Sequence, residues 1–496
     1  MILRLAKRVA LALFAVASAP ALSLAHVGSP DVVFDGKAGP YDIRVIVRVP
    51  RVVPGLADVN VRILHGKATT VRIRPVFWRT GVSGSPSADV AKPVEGARGL
   101  FAGQLWLMAR GAYSVYVTVD GAEGSGTATV PVMSIATGRL GMSAGLSVIL
   151  VALGILLVAG LITIVYVAAG ESVVEPGRSI PPAGRKRARL IGVIAIPVIT
   201  IILFGGARWW QVVDASYQQR MYRPFVAKAA VLREAGKPVL HLAAALDPLL
   251  PDHGKLMHLF VIDSARMTSF AHLHPSLVDS STFSTMLPPL PPGSYRLYGD
   301  VTFETGQTQT ILGTVRLTTD DSVAAAAIAR SDPDDSWRVS EGVTRRPDVP
   351  TMARLEDGST MEWLADSTRL RAGEDATFRF RVRDPSGAPA ALETYLGMAA
   401  HAVIARIDGS VFVHLHPAGT VSMAAQEAFA LRDRGDTTPT GHLRLPDDTM
   451  TPHLMPLSAE ISFPYVFPRP GSYRVWVQVR RAGRVLTGVF DCSVSS

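Results

Sequence analysis

The chain has 496 residues, enough for roughly three to four domains at about 150 residues each. Its net charge of +9 excludes little by sign, but its distribution argues against a nucleic-acid partner: the densest basic run, GRKRAR (Gly184–Arg189), lies between two apolar segments, where membrane topology accounts for it. The single cysteine, Cys492, excludes an intramolecular disulfide and any CxxC metal or redox site, while 48% hydrophobic and 18% charged residues call for membrane segments beside soluble domains.

Residues 1–25 read as a signal peptide. Arg4, Lys7 and Arg8 form the basic region, an apolar stretch follows, and Ser23-Leu24-Ala25 is a small-x-small cleavage signal. Cleavage after Ala25 would make His26 the amino terminus, where its amine and imidazole together can chelate copper; His65 is the one other histidine of that segment. Residues 26–135 alternate with period two in YDIRVIVRVP, ADVNVRIL and TTVRIRPVFW, which predicts short strands of a β-sandwich.

Two apolar runs, 143–170 and 190–210, each supply about 20 apolar residues, the length a bilayer core demands. Pro197 is a kink candidate, and Trp209 and Trp210 stand where an interfacial aromatic belt would be. The loop 171–189 is basic and is therefore expected to be cytoplasmic, which turns the flanking soluble segments outward. The expectation is a bacterial inner-membrane protein with its soluble mass in the periplasm.

Residues 222–320 and 351–496 each predict a further sandwich, separated by a linker, 321–350. These two segments repeat in matching order. HLFVIDSARMTSFAHLHP aligns with HAVIARIDGSVFVHLHP, and PPGSYRLYGDV with RPGSYRVWVQV. In the later copy, Ala424–Ser458 is an insertion, polar and Pro-containing, expected as a loop. The predicted fold class is mainly β: three Ig-like sandwiches plus two transmembrane helices.

The repeated HLHP motif carries the chemistry. His272 and His274 are two apart on an extended strand, so both rings face one side, roughly 6–7 Å apart along the chain. Two such imidazoles can meet on one ion at about 2.0–2.1 Å each. If the preceding strand returns as a hairpin, His258 joins them, with Met257 and His253 nearby as further candidates. The later copy offers His401, His414 and His416, with Met398 close in sequence. Imidazole with thioether favours copper, with zinc second. The bland alternative is that these histidines are structural, one ring packed and one bonded to a turn carbonyl, since duplication copies both kinds equally. No G-x-S-x-G elbow, phosphate loop or HExxH stands out, so catalysis is not expected.

AHVGSPDVVFDGKAGPYDIRVIVRVP resembles the openings of YtkA-like and FixH-like exported bacterial proteins. The two HLHP segments are similar to membrane-associated periplasmic β-sandwich domains of heavy-metal and copper-handling proteins. The resemblance implies Ig-like sandwiches and metal handling or oxidase assembly. A mature His26 is also similar to the start of CopC-like copper carriers, though the rest of that pattern is not recognisable. Two functions follow: a membrane-anchored periplasmic copper-binding protein in homeostasis or delivery, with a delivery partner, or a non-catalytic scaffold for an inner-membrane complex with structural histidines. Oligomeric state is not legible.

Overall fold

The computed structural model describes residues 31–172, 174–175, 177–325, 332–364, 369–445 and 457–496. The expected signal peptide, with the candidate ligand His26, lies outside the described residues. The chain is mainly β, and it divides into two compact units: 1–137 with 223–496, and 138–222.

The smaller unit holds the helices Ala144–Glu171 and Pro182–Gln219, both long and apolar enough to cross a membrane. Ser143 caps the first by accepting from the Leu146 amide. The second is longer than the 190–210 run, because Pro182 opens it and the basic residues 185–189 continue it. Arg187 donates to the Ala169 carbonyl at 2.8 Å, tying the two helix ends together. Their apolar side chains, Ile155, Leu156 and Ile201 among them, stand exposed.

The larger unit contains three sandwiches. In the first, eight strands run from Val32 to Ser134 in the order 32–38, 41–48, 55–65, 100–107, 89–93, 68–77, 111–121, 124–134. Alternation does the sorting: in Gly55–His65, Ala57, Val59 and Val61 are buried while Leu56 and Asp58 face out. Gly39, at φ 60°, makes the two-residue turn between the first two strands.

The second and third sandwiches share one plan. One sheet of each carries the HLHP strand: Ser336–Val339, Ser269–Leu273, His258–Asp263, Gly293–Phe303 and Thr308–Leu317 in the second; Arg484–Val494, Gly471–Arg481, His401–Arg406 and Phe412–Leu415 in the third. The repeated Gly-Ser-Tyr now has its reason. Tyr295 and Tyr473 donate their hydroxyls to the Pro291 and Arg469 carbonyls four residues upstream, at 2.7 and 2.6 Å, the tyrosine corner of Ig-like sandwiches.

Each sheet of the pair has two apolar faces. The inner face fills its own sandwich; the outer faces pack on one another through Phe260, Ile262, Phe270 and Tyr298 against Val403, Ala405, Phe412 and Trp476. Phe270 stacks on Trp476 at 4.9 Å and Tyr298 on Phe412 at 4.2 Å. This face-to-face seam positions the site.

Two expectations are corrected. The linker 321–350 supplies an edge strand, with Ser336 paired to His272 and Val339 to Ser269. The insertion 424–458 is not all loop: a helix, Met423–Arg434, buries Ala424, Ala428 and Leu431, capped by Ser422 and closed by left-handed Gly435.

Candidate metal centre

On each HLHP sheet the outward face changes character along its length. Strand residues 258, 260 and 262 read His, Phe, Ile; residues 270, 272 and 274 read Phe, His, His; their counterparts are His401, Val403, Ala405 and Phe412, His414, His416. When the two faces pack, the apolar ends meet as the seam and the histidine ends meet as one buried cluster. His258, His272, His274, His401, His414 and His416 are all buried, and His253 brings a seventh ring. Ring centroids link all seven, from 4.6 Å (His272–His274) to 6.5 Å (His272–His401).

Nitrogens within 4.8 Å of one another fall into two three-histidine sets. His258, His272 and His274 form one, with the composition the motif spacing suggests. The other joins His253 to His401 and His416; His414, expected with them, has its ring 5.3 and 4.7 Å from theirs. His253 comes from the turn before His258 and reaches across to the third sandwich, with its ring 5.5 Å from His401 and 5.2 Å from His416. The expectation of one closed site per sandwich therefore gives way to a single shared cluster. His274 also lies within reach of Asp332 and Asp335.

The partners of each ring fix its proton. A neutral imidazole carries one N–H and one bare lone pair. Backbone carbonyls only accept, so His258 Nε2 donates to the Asp252 carbonyl at 3.1 Å and its Nδ1 is bare. Tyr395 donates its hydroxyl to the Asp334 carbonyl, so its oxygen accepts from His272 Nδ1 at 3.1 Å, and Gln478 Oε1 lies on the same nitrogen at 2.9 Å. His272 Nε2 is then bare as well. Yet His258 Nδ1 and His272 Nε2 face each other at 3.1 Å. Two lone pairs at that distance repel unless a cation lies between them, and two nitrogens on one ion with bonds of about 2.0–2.1 Å sit close to that separation.

The other rings follow suit. His274 Nδ1 faces Asp335 Oδ1 at 3.0 Å and leaves Nε2 without a partner. His416 Nδ1 donates to the Val421 carbonyl at 3.0 Å and leaves Nε2 likewise. His253 and His401 have no hydrogen-bond partner at either nitrogen, although His253 Nε2 lies 3.7 Å from Asp252 Oδ1. Outer hydrogen bonds that orient a ring and bare its inner nitrogen are how proteins prepare imidazole ligands. Buried polar atoms without partners are costly, and here they converge.

Electrostatics keep the rings neutral. Burial lowers every one: His416 to about 4, and His272, His274, His401 and His414 well below the ordinary value, with neighbouring imidazoles adding to the drop. Burial lowers His253 and His258 too. Asp300 and Asp335 are pushed up to about 7 by burial. Tyr395, fully buried, stays protonated because burial raises it well above its usual range.

The remaining candidates separate. Met257 packs in the apolar core of the second sandwich, its sulfur beside Gly299, on the strand face opposite His258; a thioether ligand there is corrected. Met398 is half-buried in the turn before His401. His65 is exposed. His241 pairs with Glu234 at 2.7 Å and His442 with Glu304 at 2.9 Å, away from the cluster. Cys492 is buried, and its thiol is pushed up to about 12 by burial.

The first sandwich props the cluster from behind. The Asp35 amide donates to the Ala418 carbonyl and the Thr420 amide to the Val33 carbonyl, and Val421, whose carbonyl holds His416, packs in the first sandwich's core. Arg44 links Asp35 to Asp375.

A family model described as "Domain of unknown function (DUF8832)" matches residues 353–496, the third sandwich. No curated protein matches the chain. Among solved structures, a membrane anchored protein from Corynebacterium diphtheriae is 10% identical over 94% of this chain and 96% of its own, with a TM-score of 0.14. The ICAM-5 D1–D4 ectodomain fragment is 9% identical over 94% of this chain and 78% of its own, also at 0.14. Such scores describe no shared overall arrangement, so neither protein's properties transfer to this chain.

Proposed function

We propose that the protein is a membrane-anchored binder of a transition-metal ion, copper foremost, acting in metal homeostasis or delivery rather than catalysis. The carrying observation is the bare pair His258 Nδ1 and His272 Nε2 at 3.1 Å, both protons being held elsewhere, with His274 Nε2 unpartnered beside them. Neutral imidazoles without thiolate suit copper and zinc, and the general affinity order places Cu(II) above Zn(II). Met257, packed in the apolar core, adds no thioether to this argument. The two apolar helices suggest membrane association, and the basic stretch between them supports an inner-membrane protein whose sandwiches face the periplasm.

Full-length protein in detergent, stripped with chelator, is titrated with Cu(II), Cu(I) and Zn(II). The expected result is tight binding, with the ion held by His258, His272 and His274 lost in a His258→Ala, His272→Ala variant that keeps its β circular-dichroism spectrum. Absence of binding by the wild-type chain overturns the reading. The scaffold alternative draws on the hydrogen bonds between sandwiches, such as Gln478 to His272, which hold the seam without an ion. It predicts a membrane complex that survives chelation.

A further inference from the structure

The repeat supplies six matched histidines, three from each copy, and the turn before His258 adds a seventh. The two converging sets use six of these seven. The one left over is His414, whose counterpart His272 belongs to its own set. In the third sandwich, His253 has taken the place that symmetry would give His414.

His414 is not idle geometrically. Its ring lies 5.3 Å from His258 and 5.7 Å from His272 in one set, and 5.3 Å from His401 and 4.7 Å from His416 in the other. Its Nδ1 faces Asp300 Oδ2 at 3.7 Å, so Nε2, across the ring, points away from that carboxyl. That Nε2 is buried and has no partner. A buried ring between two ligand sets, turned with a bare nitrogen into the cluster, is placed to ligate one ion or the other.

The sets themselves are close. His253 and His258, one from each, have centroids 6.2 Å apart, and His272 and His401 are 6.5 Å apart. An ion bound at about 2.0–2.1 Å lies about 3.2 Å from its ring's centre, so two ions would be at most about 13 Å apart.

We propose that the cluster is a dinuclear metal centre, holding two transition-metal ions in one buried chamber, with His414 the ligand available to either. Set one belongs wholly to the second sandwich; set two joins both, so the second ion also cross-links the repeats. This rests on the metal reading above.

The test is Cu(II) titration of the full chain in detergent, followed by electron paramagnetic resonance. The first equivalent is expected to give a nitrogen-coordinated mononuclear signal. The second is expected to give a spin-coupled spectrum, dipolar-broadened with a half-field line or reduced in integrated intensity. Two ions with independent, additive signals overturn the dinuclear centre. Saturation at one ion overturns it while leaving the metal function standing; no binding at all removes both. His414→Leu is expected to lower the product of the two binding constants tenfold or more, with His414→Gln as the second variant should Leu unfold the chain. An unchanged product of the two constants overturns the role of His414 as a ligand.

Discussion

The turn before His258 and the turn before His401 have one backbone and two uses. In both, a residue with left-handed φ precedes a left-handed glycine: His253 (53°) with Gly254 (78°), and Leu396 (51°) with Gly397 (74°). In both, the turn closes by a bridge, Asp252 to Lys255 and Tyr395 to Met398. Yet the earlier turn sends an imidazole into the other sandwich, and the later one sends a phenol, Tyr395, to His272. Duplication kept the backbone, and side chains on it then diverged. One copy of the turn supplies a ligand and the other orients one.

Acid breaks both copies at once and has the largest expected effect. All seven imidazoles have folded-state values below the unfolded value of about 6.5, so the unfolded chain binds more protons as pH falls. Stability of the metal-free protein is therefore expected to be level above about pH 7 and to fall by several kcal/mol from about pH 6.5 to 5. Asp300 and Asp335 act oppositely. Raised to about 7, they favour the folded state below the unfolded carboxyl value and lose that contribution as pH rises to 7. Two carboxyls do not offset seven imidazoles. Thermal unfolding across pH, with chelator and with metal, checks this; a metal-free melting temperature that stays flat down to pH 5 contradicts it.

The seam comes next. Trp476 and Tyr298 occupy matched strand positions and each stacks across the seam on a phenylalanine of the opposite copy. Trp476→Ala is expected to cost about 3–5 kcal/mol in denaturant unfolding. A loss under about 1 kcal/mol would mean that the two sheets do not need one another.

Much of this was legible beforehand. Period-two strands, the doubled HLHP and the GSY corner gave three Ig-like sandwiches and six of the seven clustered histidines. What the pattern lacked was the packing of one repeat on the other. Sequence spacing speaks of neighbours along a strand, so it assigned His414 to its own sandwich and could not see His253 crossing the seam. Asp335 hid in a stretch resembling a linker, since a two-face alternation is short there. The Ser422–Gly435 helix, by contrast, had both caps in plain view, and its alanine-rich run outweighed the polar character of the surrounding insertion.

His253→Leu makes the earlier turn match the later one, where Leu396 stands, and tests their divergence. The expected outcome is about 100-fold weaker binding of one ion, about 2.7 kcal/mol, with the other step little changed. Isothermal titration resolves the two steps. Equal weakening of both would show that His253 does not belong to one set.

The smallest effect concerns the polar residue behind each middle histidine. Asp300 and Gln478 are matched, opposite His258 and His401 in register, and each reaches the other copy: Asp300 to His414 and Gln478 to His272. Asp300 titrates at about 7, so it is charged at pH 8 and neutral at pH 6. A charged carboxylate beside Nδ1 makes the opposite nitrogen a stronger ligand than an amide does. Asp300→Asn, which gives this site the amide chemistry of Gln478, is expected to weaken copper binding about tenfold at pH 8, at the low end of such substitutions. At pH 6 the wild-type carboxyl is itself neutral, so the difference should vanish. Thr310 donates to Asp300 Oδ1 at 2.7 Å and can do the same for the asparagine oxygen, so the fold is not expected to suffer. A tenfold loss that persists at pH 6 would place the effect in packing rather than in charge.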